Sequence, residues 1–483
     1  MNLFNKFIKS YYQLSRPAKA SLWFTVCYVI QRGLQFLVMP IYTRIMTSDE
    51  YGVYSVFLSW FNLICVFSSL NIYSGTFNKA MVKYENQRDR YISSVQYLTL
   101  LIGLLFTIFI IVFNNEIYKW TGYSFKLQLL LCANLLFFPS LQYWSQKQRF
   151  LYEYKNLVLI TLFSSLLNIS FGIIFVLIND DKSFALIFVT VLIQVVINCV
   201  IFVDLSIKGK CFYHFEYWIW SIKTSIPLIP HYLSEILLGH ADRLMINHLC
   251  GSSQAGIYNI VYQISMVMTI LRTGINGAFT PWLYYAIKQN NVEDIKRVTN
   301  LLTILMSMLT VLFMLIGPEI ITIVAPEEYY EAVVDIPAIM VGSFFIYVYV
   351  LFSNVEIYFE HTSGVAIASV VAAVINIVLN WICINHIGYL AAGYTTMISY
   401  IIMAIMHYLF LKKIIKDKKE VMGIFDFRFM LCISIILILS SMIILKVYKY
   451  IIVRMGLITL LLVFGILKID VFSRLLRDLK KRD

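Results

Sequence analysis

Apolar residues recur along this chain in blocks of roughly twenty, the number of helical residues needed to cross the hydrocarbon of a bilayer. Fourteen blocks are readable: 21–43, 52–74, 92–113, 126–146, 157–178, 184–206, 218–240, 256–278, 299–317, 335–358, 364–384, 388–411, 426–445 and 450–467. Dyad alternation in segments of about ten is absent, which makes a membrane β-barrel a poor alternative. The pattern therefore predicts an all-α integral membrane protein with 14 transmembrane helices. The first block is too long and too late for a cleaved signal peptide and is expected to stay in the protein.

Polar side chains interrupt these blocks at helical spacing. The stretch Gly239–Pro281 ends one helix and supplies the whole of the next. From Tyr258 onward, Tyr258, Tyr262, Ser265, Thr269, Arg272 and Asn276 alternate at spacings of four and three, and so share one helical face. In the first helix Arg32 lies near the middle, with Tyr28, Gln31 and Gln35 around the same sector. Exposure of that guanidinium to lipid costs roughly 3 kcal/mol or more, so it must face protein or water. The seventh helix carries His231, Glu235 and Asp242 on one face and is interrupted by Pro227 and Pro230.

Composition agrees with the pattern. Hydrophobic residues make up 60% and charged residues 14% of the 483, and this leaves too little polar surface for a soluble protein of this length. Of the 39 basic residues, 27 fall in alternate connections and termini that start from the N-terminus, and only six in the opposite set. By the positive-inside rule both termini are cytoplasmic. The net charge of +12 is accounted for by flanks facing anionic lipid and calls for no nucleic-acid partner. The eight cysteines show no paired spacing for a disulfide or a metal. No P-loop, HExxH or nucleophile elbow is present, so a transporter is expected rather than an enzyme. No cofactor is expected beyond H+ or Na+ as a coupling ion.

A weak internal repeat sets EYGVYSVFLSW at 50–60 beside AGIYNIVYQIS at 255–265, at an offset of 204. A parallel repeat of this kind predicts two six-helix lobes with a cleft between them. The expected division is 1–210 and 211–420 for the lobes, with 421–483 holding two further helices and a basic tail. One arginine in each lobe, Arg32 and Arg272, favours an anionic cargo, because a neutral solute would not repay the desolvation of two cations. Glu235 is expected to pair with a cavity arginine and, with His231 and Asp242, to couple transport to an ion.

The segments MPIYTRIMTSDEYGVYS at 39–55, DRLMINHLCGSSQAGIY at 242–258, GAFTPWLY at 277–284 and IASVVAAVINIVLNWICINHIGYLAAGY at 367–394 carry a resemblance. Through them the chain resembles the bacterial polysaccharide-biosynthesis flippases, the O-antigen or capsule repeat-unit translocases, of the multidrug/oligosaccharidyl-lipid/polysaccharide exporter superfamily. The resemblance implies a V of two six-helix lobes plus two C-terminal helices in the bacterial inner membrane. It also implies alternating access for an undecaprenyl-pyrophosphate-linked oligosaccharide by a chain that works as a monomer, with polysaccharide polymerase and chain-length machinery as further partners. On this reading Arg32 and Arg272 hold the pyrophosphate, and Tyr28, Gln35, Tyr258, Tyr262 and Asn276 meet the first sugars. Gly33 stands after Arg32 where many peptidoglycan-precursor flippases carry an acid, which argues against lipid II as cargo. The alternatives are a cation-coupled multidrug antiporter of the same superfamily, a lipid II flippase and a non-transport scaffold for polysaccharide assembly.

Overall fold

The computed structural model describes residues 15–418, 422–468 and 470. The basic termini at 1–14 and 471–483, part of the expected inward charge, lie outside the described residues. Among the described residues the ordered structure is helical: α1 (Arg16–Ile45), α2 (Ser48–Ser69), α3 (Phe77–Lys83), α4 (Arg88–Val112), α5 (Asn114–Thr121), α6 (Phe125–Phe150), α7 (Tyr154–Ile178), α8 (Lys182–Gly209), α9 (Phe215–Ser225), α10 (Ile229–Leu249), α11 (Ser252–Lys288), α12 (Val292–Val324), α13 (Ile336–Tyr358), α14 (Thr362–Ile387), α15 (Ala391–Asp417), α16 (Phe427–Val447) and α17 (Ile451–Leu467). Among the described residues, eleven helical segments are long and apolar enough to cross a membrane. The three remaining apolar blocks fall on α9 with α10, on α11, and on the shorter α17.

The seventh predicted helix is broken where its prolines stand. A 3-10 turn at Ile226–Leu228 separates α9 from α10, and Pro230 is accommodated in the first turn of α10, where its missing N–H costs least. The repeat has a counterpart in the helix limits. Helices α1 and α10 end at Ile45 and Leu249, and α2 and α11 begin at Ser48 and Ser252, each pair 204 residues apart. The two junctions are capped differently. Thr47 and Glu50 form a reciprocal capping box, with the Thr47 N–H donating to Glu50 Oε2 at 2.8 Å, whereas Gly251 turns the chain with a φ of 109° that other residues rarely adopt.

Two expected connections are themselves largely helical. Helix α11 runs to Lys288 and α12 starts at Val292, so most of the polar segment after 278 extends the two helices and only a short turn joins them. Asn291 caps α12 by accepting from the Asp294 N–H at 3.3 Å, and Glu293 and Asp294 in the first turn suit the positive end of the helix dipole. The connection between the blocks 299–317 and 335–358 is likewise taken up by the end of α12 and a 3-10 helix, Glu327–Asp335.

The chain divides into two compact units, one ending at Ile236 and the other beginning at Leu237. That division lies within α10, not at the expected 210. Helix α9 stays with the first unit because it is bonded to α4: the Trp218 indole N–H donates to the Ser94 carbonyl at 2.9 Å, and the hydroxyls of Tyr91 and Ser221 meet at 2.8 Å. Tyr84, Tyr91, Tyr143 and Tyr217 build an aromatic core there. In the second unit α13 is apolar on all sides and buried among α11, α12, α15 and α16, as such a helix must be. The last two helices belong to this unit. Arg454 of α17 pairs with Glu319 of α12 at 2.7 Å and donates to the Leu315 carbonyl at 3.2 Å, which lets a cation sit on an apolar helix.

Helix α16 is anchored at its start by Asp426, whose carboxylate accepts from the Phe429 N–H at 3.2 Å and lies 3.3 Å from Lys296 Nζ. Asp426→Ala is expected to cost about 1 kcal/mol. Thermal melts of the purified chain should show a small drop in Tm, with Asp426→Asn recovering most of it. A full recovery in Asp426→Lys would contradict the capping role.

Candidate functional site

In the second unit, Asp242 of α10 is 2% exposed and receives three hydrogen bonds from neutral donors. Tyr258 Oη of α11 and Thr396 Oγ1 of α15 each donate to Oδ2 at 2.7 Å, and Asn380 Nδ2 of α14 donates to Oδ1 at 2.7 Å. A second layer holds these donors in place. Asn380 Nδ2 also reaches Asn376 Oδ1 at 3.2 Å, Asn376 Nδ2 donates to Thr396 Oγ1 at 3.0 Å, and Thr395 Oγ1 donates to Asn380 Oδ1. Four helices thus converge on one buried carboxylate through hydroxyls and amides.

The neighbouring Arg243 is 6% exposed and satisfied in another direction. It donates to Asn259 Oδ1 at 2.9 Å, to the Gly239 carbonyl and toward His240 Nδ1, and its guanidinium lies 4.8 Å from the Tyr262 ring centroid. The cation–π contact and neutral acceptors keep this charge inside an apolar unit. Asp335, at the start of α13, is a second fully buried carboxylate, and neither of its oxygens has a hydrogen-bond partner among the described residues. A buried carboxyl without partners is expensive to keep charged.

The sequence pointed to some of this and missed the rest. Tyr258, expected to meet sugar, is fully buried with its hydroxyl committed to Asp242, so it belongs to the carboxylate's shell. His231 and Glu235 do approach each other, at 3.8 Å, but Asp242 takes its partners from α11, α14 and α15 and does not join them. Glu235, expected on an arginine, has a side chain 57% exposed, and the ion-pair partner it shows is His231. Thr395, Thr396 and Arg243 went unassigned. The one available signal was Asn376 and Asn380, one turn apart on an apolar helix, which reads equally well as packing glue.

The expected cargo residues are split between the units. In the first, Arg32 is half-buried, its Nη1 donates to Gln35 Oε1 at 3.1 Å, and its guanidinium lies 5.5 Å from the Tyr28 ring centroid. In the second, Arg272 is half-buried on α11, and one turn later Asn276 Oδ1 accepts from Asn354 Nδ2 at 2.8 Å and from Thr280 Oγ1 at 3.2 Å. Tyr262 lies under Arg243. Neither Arg32 nor Arg272 has a carboxylate within salt-bridge distance in its own unit among the described residues.

Arg32 and Arg243 thus face neutral partners, and Asp242 sits in a shell of neutral donors. The chain matches the family described as "Polysaccharide biosynthesis protein" over residues 18–287, and MatE over residues 227–382. It belongs to the polysaccharide biosynthesis protein family. It is similar to "Lsg locus putative protein 1" of Haemophilus influenzae, 36% identical over 67 residues, which is 14% of this chain and 17% of that one. An "Uncharacterized membrane protein" of the same organism is 25% identical over 128 residues, 26% of this chain and 29% of its own length. The chain thus matches less than a third of each of these curated relatives. Among solved structures it is similar to the lipid II flippase MurJ in an inward closed conformation, with a TM-score of 0.71 at 15% identity over 93% of this chain and 100% of that one. It is also similar to an inward-facing multidrug resistance MATE transporter of the MOP superfamily, with a TM-score of 0.63 at 14% identity over 81% and 96%. The fold is that of the MOP-superfamily transporters and flippases, and the chain is a multi-pass membrane protein.

Proposed function

We propose that this chain flips an undecaprenyl-pyrophosphate-linked oligosaccharide repeat unit from the cytoplasmic to the outer leaflet of a bacterial inner membrane, with both termini cytoplasmic, by alternating access. The observation that carries the reading is Arg32, a fixed cation in the middle of a membrane helix whose described contacts are the neutral Gln35 and Tyr28. A guanidinium so placed keeps its charge for an incoming anion, and its planar fork matches a pair of phosphate oxygens. Arg272 of the second unit is the other cation assigned to the pyrophosphate. Tyr28, Gln35, Tyr262 and Asn276 offer hydroxyl, amide and ring surface to sugars. The prenyl tail stays in lipid, since only the polar head needs a path across.

Coupling to H+ or Na+ is assigned to Asp242. The carboxylate can take up a proton, or a hard monovalent cation once the hydroxyls and amides that now donate around it turn their oxygens inward, and Asp335 is a second buried carboxyl in the same unit. Binding there bears on the packing of α10 against α11, α14 and α15, and an ion favouring one packing shifts the transport equilibrium through linked free energies. The multidrug antiporter is the second reading. The two arginines count against it, because an organic cation favours acidic walls.

Deleting the gene should trap the lipid-linked repeat in the cytoplasmic leaflet. The trapped glycan would resist an impermeant glycan-modifying reagent until the membrane is permeabilised, and complementation should restore its exposure. Unchanged outer-face exposure in the deletion strain, with its own polymer made normally, would reject the proposal.

A further inference from the structure

The first unit contains a cavity of about 260 Å³ lined by α1, α2, α6, α7 and α8. Its polar wall is made of uncharged groups, chiefly the amides of Gln31, Gln35, Asn168, Gln194 and Asn198, and Phe138 supplies an aromatic face. Asn198 is 0% exposed, yet among the described residues neither its Oδ1 nor its Nδ2 has a hydrogen-bond partner, and Asn168 Oδ1 is likewise buried and unpaired. Buried amides are nearly always bonded, so three orphaned atoms at one cavity call for a ligand that supplies both donors and acceptors. No acidic or basic side chain lines this cavity. A carboxylate or ammonium ligand would be desolvated there without a counter-charge.

We infer that this cavity is the subsite for a single neutral sugar ring, the one bonded directly to the pyrophosphate. Hydroxyl groups donate and accept at once, which is what orphaned carboxamides need, while the apolar face of a pyranose suits Phe138. The volume lies below the roughly 300–1,000 Å³ of pockets for drug-sized ligands, so one ring fits and an oligosaccharide does not. Gln35 ties the subsite to the phosphate site, since it lines the cavity and accepts from Arg32 at 3.1 Å. A sugar held by Gln35 and Asn198 therefore leaves its anomeric phosphate beside Arg32. The inference rests on the flippase reading, and it restricts the proximal residue to neutral sugars and excludes uronic acids.

The test is saturation-transfer NMR on the full chain in nanodiscs with methyl glucoside, methyl N-acetylglucosaminide and methyl glucuronide. At least one neutral glycoside should bind saturably, and the glucuronide at least about tenfold more weakly. Asn198→Leu should weaken neutral binding about tenfold, the scale of one lost hydrogen-bond pair, with no loss of thermal stability because a buried unpaired amide has been removed. Asn168→Val serves as the second variant if Asn198→Leu fails to fold. Equal affinity for all three glycosides, no saturable binding, or full binding in the folded variants would show a water-filled void only and overturn the inference. The flippase reading is separable. Leaflet transfer of a pyrophosphate-linked glycan without glycoside binding removes the subsite alone, whereas glycoside binding that depends on Asn198 stands even where transfer fails.

Discussion

Asp242→Asn should leave the chain folded and strip transport of its dependence on an imposed ion gradient, whereas Asp242→Ala should sharply lower the yield of folded protein. The difference follows from the three donors that meet the carboxylate. Alanine leaves Tyr258, Thr396 and Asn380 without their acceptor inside an apolar unit, and each buried donor so abandoned costs about 1–3 kcal/mol. Asparagine keeps an oxygen for Asn380, and the hydroxyls of Tyr258 and Thr396 can rotate to accept from its amide. What asparagine cannot keep is the negative charge that takes up a proton or Na+. Size-exclusion yield and thermal melts measure the first effect. Gradient-driven transfer at equal folded amounts measures the second, and an unchanged gradient response in Asp242→Asn would move coupling away from this residue.

Arg32→Gln and Arg272→Gln should each lower transfer of a pyrophosphate-linked glycan by about tenfold or more, and the double variant by about a hundredfold if the two act independently. These magnitudes correspond to roughly 1.5–3 kcal/mol for a hydrogen bond to a charged group. Arg32→Lys should recover only part of the loss, since an ammonium keeps the charge and gives up the planar fork. Glutamine at either position leaves the unit less burdened with charge, so stability should hold or rise. A double variant that folds and transfers at the parent rate would remove both arginines from cargo binding and favour the scaffold reading.

The sequence carried the helices well and the convergence of side chains poorly. Apolar blocks and the interruption at Pro227 and Pro230 depend on near neighbours, and the helices found follow them. The polar stripe from Tyr258 to Asn276 was visible too, but its burial was not. Tyr258 and Ser265 are buried, while Tyr262, Arg272 and Asn276 are half-buried, because the first turns of α11 are closed over more fully than its middle. The carboxylate shell joins residues 138 and 154 positions apart, and a threonine pair such as Thr395 and Thr396 has no periodicity to announce it. For the same reason Glu235 and Asp242 looked alike on one helix face, though their surroundings differ: the first is largely exposed and the second is enclosed by three other helices. The orphaned amides of Asn168 and Asn198 are legible only once α7 and α8 are packed.

The most direct test of the central claim is leaflet transfer by the purified chain in liposomes carrying a labelled polyprenyl-pyrophosphate oligosaccharide, read with an impermeant quencher. The account predicts that label sealed in the inner leaflet becomes accessible at a rate proportional to the protein present, and that unlabelled pyrophosphate-linked glycan competes. Accessibility no faster than in empty liposomes, together with saturable movement of organic cations by the same preparation, would contradict it.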